Sequence, residues 1–119
     1  MIASIIQIRS QLHRNFGKLY ASQGKHEEAL RQLANDIYYS SLEIGPEHVD
    51  TSAGYYHMAN IFYAQNRVEH ALAFYDKVVD VWYKFLASVR NNAEEIDVLG
   101  EAQLAEAMEM LREVTRTIF

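Results

Sequence analysis

Apolar side chains recur along most of this chain at spacings of three and four residues, with polar residues between them. Residues at these spacings lie on one face of an α-helix, because a helix has about 3.6 residues per turn. One proline and five glycines leave long stretches without a helix breaker. The pattern predicts helices over about residues 2–23, 26–44, 49–65, 67–91 and 95–117.

The pattern of the first two helices is repeated further along the chain. The landmarks of the first copy are His13, Phe16, Gly17, Tyr20, Ala29 and Leu33, and those of the second are Tyr55, Met58, Ala59, Phe62, Ala71 and Tyr75. Gly17 and Ala59, like the other five pairs, are 42 positions apart. Six landmarks with one common offset indicate a duplicated structural unit.

Each copy predicts a helical hairpin with small residues where its two helices cross. Gly17 would face Ala29, and Ala59 would face Ala71, so that the helix backbones can approach closely. Asn66 stands where the first copy has Gly24 and can adopt the same left-handed turn conformation. The predicted packing residues are Phe16, Gly17, Tyr20, Ala29 and Leu33, and Met58, Ala59, Phe62, Ala71 and Tyr75.

This arrangement resembles the tetratricopeptide repeat, W-x₂-L-G-x₂-Y followed by A-x₃-F, with other residues at most landmarks. The usual period is about 34 residues, and the extra residues fall in a longer second helix that ends before Gly45. Extended repeats of this kind resemble those of kinesin light chains, whose G-x-x-H-x-D loop is matched by Gly45, His48 and Asp50. Asp50, Thr51 or Ser52 is expected to cap the next helix.

The resemblance implies an all-α solenoid that forms a single tetratricopeptide-repeat domain over residues 1–119. Repeat one would cover about residues 10–50, repeat two about 52–92, and a degenerate closing repeat about 94–119. The third copy matches poorly. Either its hairpin is truncated, or a segment near Gly100 is missing from the sequence.

Charge and composition narrow the classes of function. The net charge of −5, without a basic cluster, argues against a nucleic-acid partner. The absence of cysteine excludes a disulfide framework and a cysteine-based zinc site. The apolar run at the N-terminus is too short for a membrane span, so no membrane partner is expected.

No catalytic or metal-binding motif is recognisable. None of the five histidines has an acidic residue three positions before it, and H-E-x-x-H and G-x-S-x-G are both absent. We therefore expect no enzyme, no cofactor and no metal, and a helical metalloenzyme is the weakest alternative. His13 is expected to be a partly buried imidazole with a hydrogen-bond partner.

The concave surface is the candidate binding site, because the first helix of each hairpin lines the groove of a helical-repeat protein. Arg14 and Lys18 are one turn apart and can meet one carboxylate, while Tyr56 and Asn60 offer an aromatic surface and an amide. A merely solvated face is the alternative. The candidate partner-binding residues are Arg14, Lys18, Tyr56, His57, Asn60 and Tyr63.

The strings "LHRNFGKLY", "LANDIYYSS" and "TSAGYYHMANIFY" resemble the tetratricopeptide region of the zinc finger MYND domain-containing protein twelve family. This resemblance implies a non-catalytic axonemal protein of cilia or flagella, associated with inner dynein arms. Its partners would be another tetratricopeptide protein and a dynein heavy chain. The zinc finger is absent, since the chain has no cysteine. The alternative is a peptide or cargo adaptor that resembles kinesin light chain repeats, located in the cytoplasm.

The two ends of the solenoid are expected to be apolar. Two repeats are fewer than the three or so that usually suffice for stability. The first helix is rich in isoleucine, at Ile2, Ile5, Ile6 and Ile8. We expect these end faces to contact neighbouring chains or further parts of the same protein.

Overall fold

The computed structural model describes residues 2–91, together with 109–110, 112–113 and 116. The helices with assigned bounds are α1 (Ile2–Ser22), α2 (His26–Ile44), α3 (Val49–Ala64) and α4 (Val68–Asn91), and the described residues after 108 are also helical. Within these described stretches there is no β-strand, and the all-α prediction is confirmed. Each of the first four predicted helices is within one residue of its observed bounds. The poorly matching third copy, including Gly100, lies outside the described residues.

The helices form two antiparallel hairpins. In the first, Ser10 contacts Asp36 and Ser40, while His13 further along α1 contacts Gln32, which comes earlier in α2. In the second, Ser52 near the start of α3 accepts a hydrogen bond from Trp82 near the end of α4. α2 also packs against α3, so the hairpins are stacked side by side.

The same turn closes both hairpins. Gly24 has φ = 75° and Asn66 has φ = 63°, so both residues are left-handed. Lys25 N–H donates to Tyr20 C=O at 2.9 Å, and 42 residues later Arg67 N–H donates to Phe62 C=O at 2.8 Å. These bonds define a Schellman motif, which satisfies carbonyl groups at the end of a helix.

A different turn joins the two hairpins. Gly45 has φ = 96°, and the residue that caps α3 is His48, whose Nδ1 accepts from the backbone N–H of Asp50 at 3.0 Å. The prediction that Asp50, Thr51 or Ser52 caps this helix was wrong. Thr51 instead donates its hydroxyl hydrogen to the Gly45 carbonyl at 2.8 Å, which ties the helix start to the turn.

Small residues allow the two helices of each hairpin to approach closely. A Cβ atom added to Gly17 would lie 2.7 Å from Leu33 Cγ and 3.4 Å from the Ala29 carbonyl oxygen. Ala59 and Ala71, at the equivalent positions of the second hairpin, are both buried in one apolar cluster. Most of the other predicted packing residues also lie in the core: Leu33, Phe62 and Tyr75 are buried, and Tyr20 and Met58 are half-buried.

Phe16 departs from the predicted packing role. It is 42 % exposed, and its ring stacks on Tyr20 at the surface of α1. The equivalent residue of the second hairpin, Met58, is half-buried because α2 packs against α3, whereas no described residue range precedes α1 to cover Phe16. The difference therefore follows from position in the stack.

Replacing Gly17 with Val should lower the free energy of unfolding by about 2 kcal/mol, because the added carbons overpack a closely fitted crossing. Asn15→Val is the matched control, because it introduces the same side chain at an exposed position of the same helix, where asparagine and valine have similar helix propensities. Urea unfolding followed by circular dichroism measures both. Equal stability of the two variants would show that the crossing at Gly17 is not tight.

Candidate protein-binding cleft between the first and third helices

A cleft of about 350 Å³ lies between α1 and α3, with α2 below it. Its floor is apolar and is made by small residues of α1 and α3 and by Leu33 of α2. Three polar or charged predicted residues reach it, one from α1 and two from α3. The full lining is Gly17, Lys18, Ala21, His26, Leu33, His57, Asn60, Ile61 and Ala64.

Lys18 is the exposed cation of this cleft. Its side chain forms no ion pair with any residue in the described part of the chain. Arg14, one turn earlier on α1, was predicted to act beside it, but the structure turns the Arg14 guanidinium toward the interior. The two side chains therefore do not form one binding pair for an external carboxylate.

Arg14 forms a bidentate ion pair with Asp36 of α2. The Nε–Oδ2 distance is 2.9 Å and the Nη2–Oδ1 distance is 3.1 Å. Asp36 is completely buried, whereas the Arg14 side chain is 19 % exposed. A buried carboxylate needs a cation and further donors, because desolvation costs several kcal/mol per ion.

Two serines and one carbonyl group complete this network. Ser10 and Ser40 both donate to Asp36 Oδ1, at 2.6 and 3.1 Å. Arg14 Nη2 also donates to the backbone carbonyl of Asp50 at 2.8 Å. The network therefore links α1, α2 and the first turn of α3, and it binds the two hairpins to one another.

The second hairpin has apolar side chains at the equivalent positions. Forty-two residues after Arg14, Asp36 and Ser40 stand Tyr56, Val78 and Trp82. Ser52, the equivalent of Ser10, accepts from Trp82 Nε1 at 3.0 Å instead of donating to a carboxylate. The equivalent positions thus hold a buried ion pair in the first hairpin, and apolar and aromatic side chains with one neutral hydrogen bond in the second.

His57 lines the cleft as a neutral imidazole. Burial, together with the positive charges of Lys18 and Arg14, lowers the pKa of His57 from 6.5 to about 4. At neutral pH this side chain is therefore a hydrogen-bonding group and not a cation. The cationic character of the cleft comes from Lys18.

Asn60 is oriented by α4. Its carboxamide oxygen accepts the hydroxyl hydrogen of Tyr75 at 2.5 Å, so the amide nitrogen can donate to a bound backbone carbonyl. Tyr56 is half-buried beside the cleft, with its ring 5.3 Å from that of His57. Tyr63 is exposed on α3 and does not line the cleft.

Sequence reasoning missed two residues. His26 reaches the cleft from α2, because the left-handed turn at Gly24 places the start of α2 beside the end of α1. The other residue is Asp36, which appears in the sequence analysis only as part of the string "LANDIYYSS". The available signal was its position four residues before Ser40 and three after Leu33, within the buried stripe of α2. An acidic residue there requires a facing cation.

A family comparison agrees with this geometry. The family model for the tetratricopeptide repeat matches residues 8–84, which run from the second turn of α1 to the last third of α4. The chain belongs to the tetratricopeptide-repeat family. Tetratricopeptide repeats generally mediate binding to other proteins and are typically non-catalytic, so membership indicates a protein–protein interaction scaffold.

The described part of this tetratricopeptide chain lacks the features of a membrane span and of a metal site. No helix within it is both long and apolar enough to cross a membrane. No group of three or more His, Asp or Glu side chains within it is placed to hold a metal ion.

Asp36→Val should lower the free energy of unfolding by about 3 kcal/mol, because Arg14 loses its carboxylate in a largely buried position. The double variant Arg14→Tyr, Asp36→Val carries the residues of the second tetratricopeptide hairpin and should recover more than half of that loss. Urea unfolding of the wild type, both single variants and the double variant measures the coupling. A double variant no more stable than Asp36→Val would contradict the compensation.

Stability should fall as the pH decreases from about 6.5 to 4, partly through His57. Its folded pKa lies below its unfolded pKa, so the unfolded chain binds more protons across this window. The wild type should lose about 2–3 kcal/mol more than His57→Gln between pH 7 and pH 4. Urea midpoints at several pH values test this, with His70→Gln, which changes an exposed histidine, as the control. Parallel curves for the wild type and His57→Gln would refute the role of His57.

Proposed function

We propose that this chain is a non-catalytic scaffold that holds a segment of another protein in the cleft between α1 and α3. The cleft carries the proposal because it is open, has an apolar floor and presents Lys18, His57 and Asn60 together. Family membership supports binding to proteins in general. The choice of this cleft rests on the side chains that line it.

The side chains of the cleft favour an extended segment with an acidic residue. Lys18 supplies a cation, and the Asn60 amide can bond to a peptide carbonyl. His57 is neutral at physiological pH. It therefore neither repels a positively charged side chain of the bound segment nor attracts a carboxylate of that segment. Small residues at Gly17, Ala21 and Ala64 leave room for a backbone to approach.

We further propose that this scaffold is a component of the axoneme in cilia or flagella, associated with inner dynein arms. The three strings that resemble the axonemal family support this proposal. They contain Arg14, Asp36 and Gly54 respectively, which the fold places in contact around one buried carboxylate. Another tetratricopeptide protein and a dynein heavy chain are the partners that the resemblance suggests.

Affinity purification from ciliated cells tests both parts of the proposal. Tagged wild-type protein should remain with the axoneme after demembranation and should recover inner-arm components. Lys18→Glu should recover about tenfold less of the partner that the cleft holds, since it replaces attraction by repulsion. Arg31→Glu is the matched control, with the same change of charge at an exposed position of α2 outside the cleft.

Different results would refute the axonemal role and the binding cleft. Complete release of the protein on demembranation would refute the axonemal role. Equal partner recovery by Lys18→Glu and Arg31→Glu would refute the cleft. Circular dichroism of each variant excludes loss of the fold as the cause.

A soluble peptide or cargo adaptor is the second candidate. It is favoured by the loop from Gly45 to Asp50, which matches the inter-repeat loop of kinesin light chains and here forms the histidine cap of α3. In this case the purified partner should come from the soluble fraction. A free extended peptide from that partner should then bind and lose affinity on Tyr56→Ala.

A further inference from the structure

The interface between the two hairpins is a template for a contact that the chain can make at its ends. Ile37 of α2 lies against Gly54 of α3, where an added Cβ would come within 2.7 Å of Ile37 Cγ1. Leu30, also on α2, is half-buried against both apolar clusters. From α3, Met58 and Ile61 pack in the cluster that contains Ala29 and Leu33 of α2.

The residues that make this internal interface have exposed equivalents on α1 and α4, the first and last of the helices that the structure gives bounds for and the outer helices of the described part of the chain. Forty-two residues after Leu30 and Ile37 stand Leu72 and Val79 on α4, which are 41 % and 40 % exposed. Forty-two residues before Met58 and Ile61 stand Phe16 and Leu19 on α1, which are also exposed. Each outer helix therefore carries one half of an interface that the chain already forms internally.

The two residues of a polar contact in the internal interface also have equivalents on α1 and α4. Gln65 Nε2 donates to Glu27 Oε1 at 3.5 Å, across the boundary between the hairpins. The equivalent residues are Gln23 at the end of α1 and Glu69 at the start of α4, so the residue types are identical. Both are exposed, and the side chain of neither forms a hydrogen bond or an ion pair with a described residue.

Charge favours the same pairing. α1 has no acidic residue, and its Arg9 and Lys18 form no ion pair among the described residues, whereas Arg14 is already paired with Asp36. Glu69 and Asp76 on α4 are exposed and take part in no ion pair among the described residues. An acidic flank on one outer helix and a basic helix at the other end attract one another in a head-to-tail arrangement.

We infer that a second copy of this chain docks head-to-tail, with the α4 face of one copy on the α1 face of the next. The α1 face comprises Leu12, Phe16, Leu19 and Gln23, and the α4 face comprises Glu69, Leu72, Asp76 and Val79. The two faces differ, so the contact is heterologous. Such a contact leaves a free face at each end and allows more than two copies to stack.

The contact between copies is not an identical repetition of the internal interface. Leu12 stands on α1 where α3 has Gly54, and Val79 stands on α4 where α2 has the larger Ile37. A leucine at this point keeps the two helices farther apart than α2 and α3. The apolar area that Leu12 adds compensates for the wider spacing.

Sedimentation of purified full-length protein over a wide concentration range tests this inference. Wild-type chain should assemble beyond a dimer as the concentration rises. Leu19→Glu and Leu72→Glu should each raise the concentration needed for assembly by about tenfold or more, because a buried carboxylate disrupts an apolar joint. Leu42→Glu, at an exposed leucine outside both faces, should leave assembly unchanged.

Mixing separates this arrangement from the alternatives. Leu19→Glu retains an intact α4 face and Leu72→Glu an intact α1 face, so an equimolar mixture should form a 1:1 dimer and stop there. A wild-type chain that stays monomeric would overturn the inference. So would a mixture of two folded variants that forms no dimer, or a Leu72→Glu variant that forms a symmetric dimer through α1.

A disulfide test locates the contact. The chain has no cysteine, so Gln23→Cys in one copy and Glu69→Cys in another introduce one thiol each. Mild oxidation of the mixture should give a mixed disulfide, because these positions are equivalent to the bonded Gln65 and Glu27. Leu42→Cys in place of Glu69→Cys is the control. Equal crosslinking in both mixtures would count against head-to-tail docking.

Discussion

The ion pair between Arg14 and Asp36 is the interaction on which the arrangement of the helices depends. Asp36 is fully buried between helices, and a carboxylate in that environment is tolerated only when a cation and several donors surround it. Those groups come from α1, from α2 itself and, through the Asp50 carbonyl on Arg14, from α3. Satisfying one charge therefore sets the positions of three of the four helices.

The need to neutralise the buried Asp36 carboxylate also determines which charged side chains face the cleft. Because Arg14 is turned toward Asp36, only Lys18 remains as an exposed cation on that part of α1. The same two cations, together with burial, keep His57 neutral. The cleft thus presents one positive charge beside a neutral hydrogen-bonding ring. A surface of that kind selects a ligand by shape and backbone contacts as well as by charge.

The fold could be read from the sequence, whereas the site could be read only in part. Helix bounds, the left-handed turn at Asn66 and the close crossing at Gly17 follow from local spacing and from residue size, which are visible in one stretch of chain. The partner of Arg14 depends on which way its side chain turns once α2 is packed against α1. Likewise, Phe16 is exposed because no described helix packs on the outer side of α1. The repeat pattern of the sequence does not show which hairpin lacks such a neighbour.

The unequal construction of the two hairpins has a consequence for how the chain folds. α2 and α4 carry a small residue at the same position of the crossing, Ala29 and Ala71. If only the size of these residues mattered, α1 could pair with α4 as readily as with α2. Pairing α1 with α4 would set Arg14 against Val78 and leave Asp36 without its cation. The buried ion pair therefore distinguishes the two similar hairpins by electrostatics, and it disfavours the mispairing and the exchange of helices between molecules that their shared register would otherwise permit.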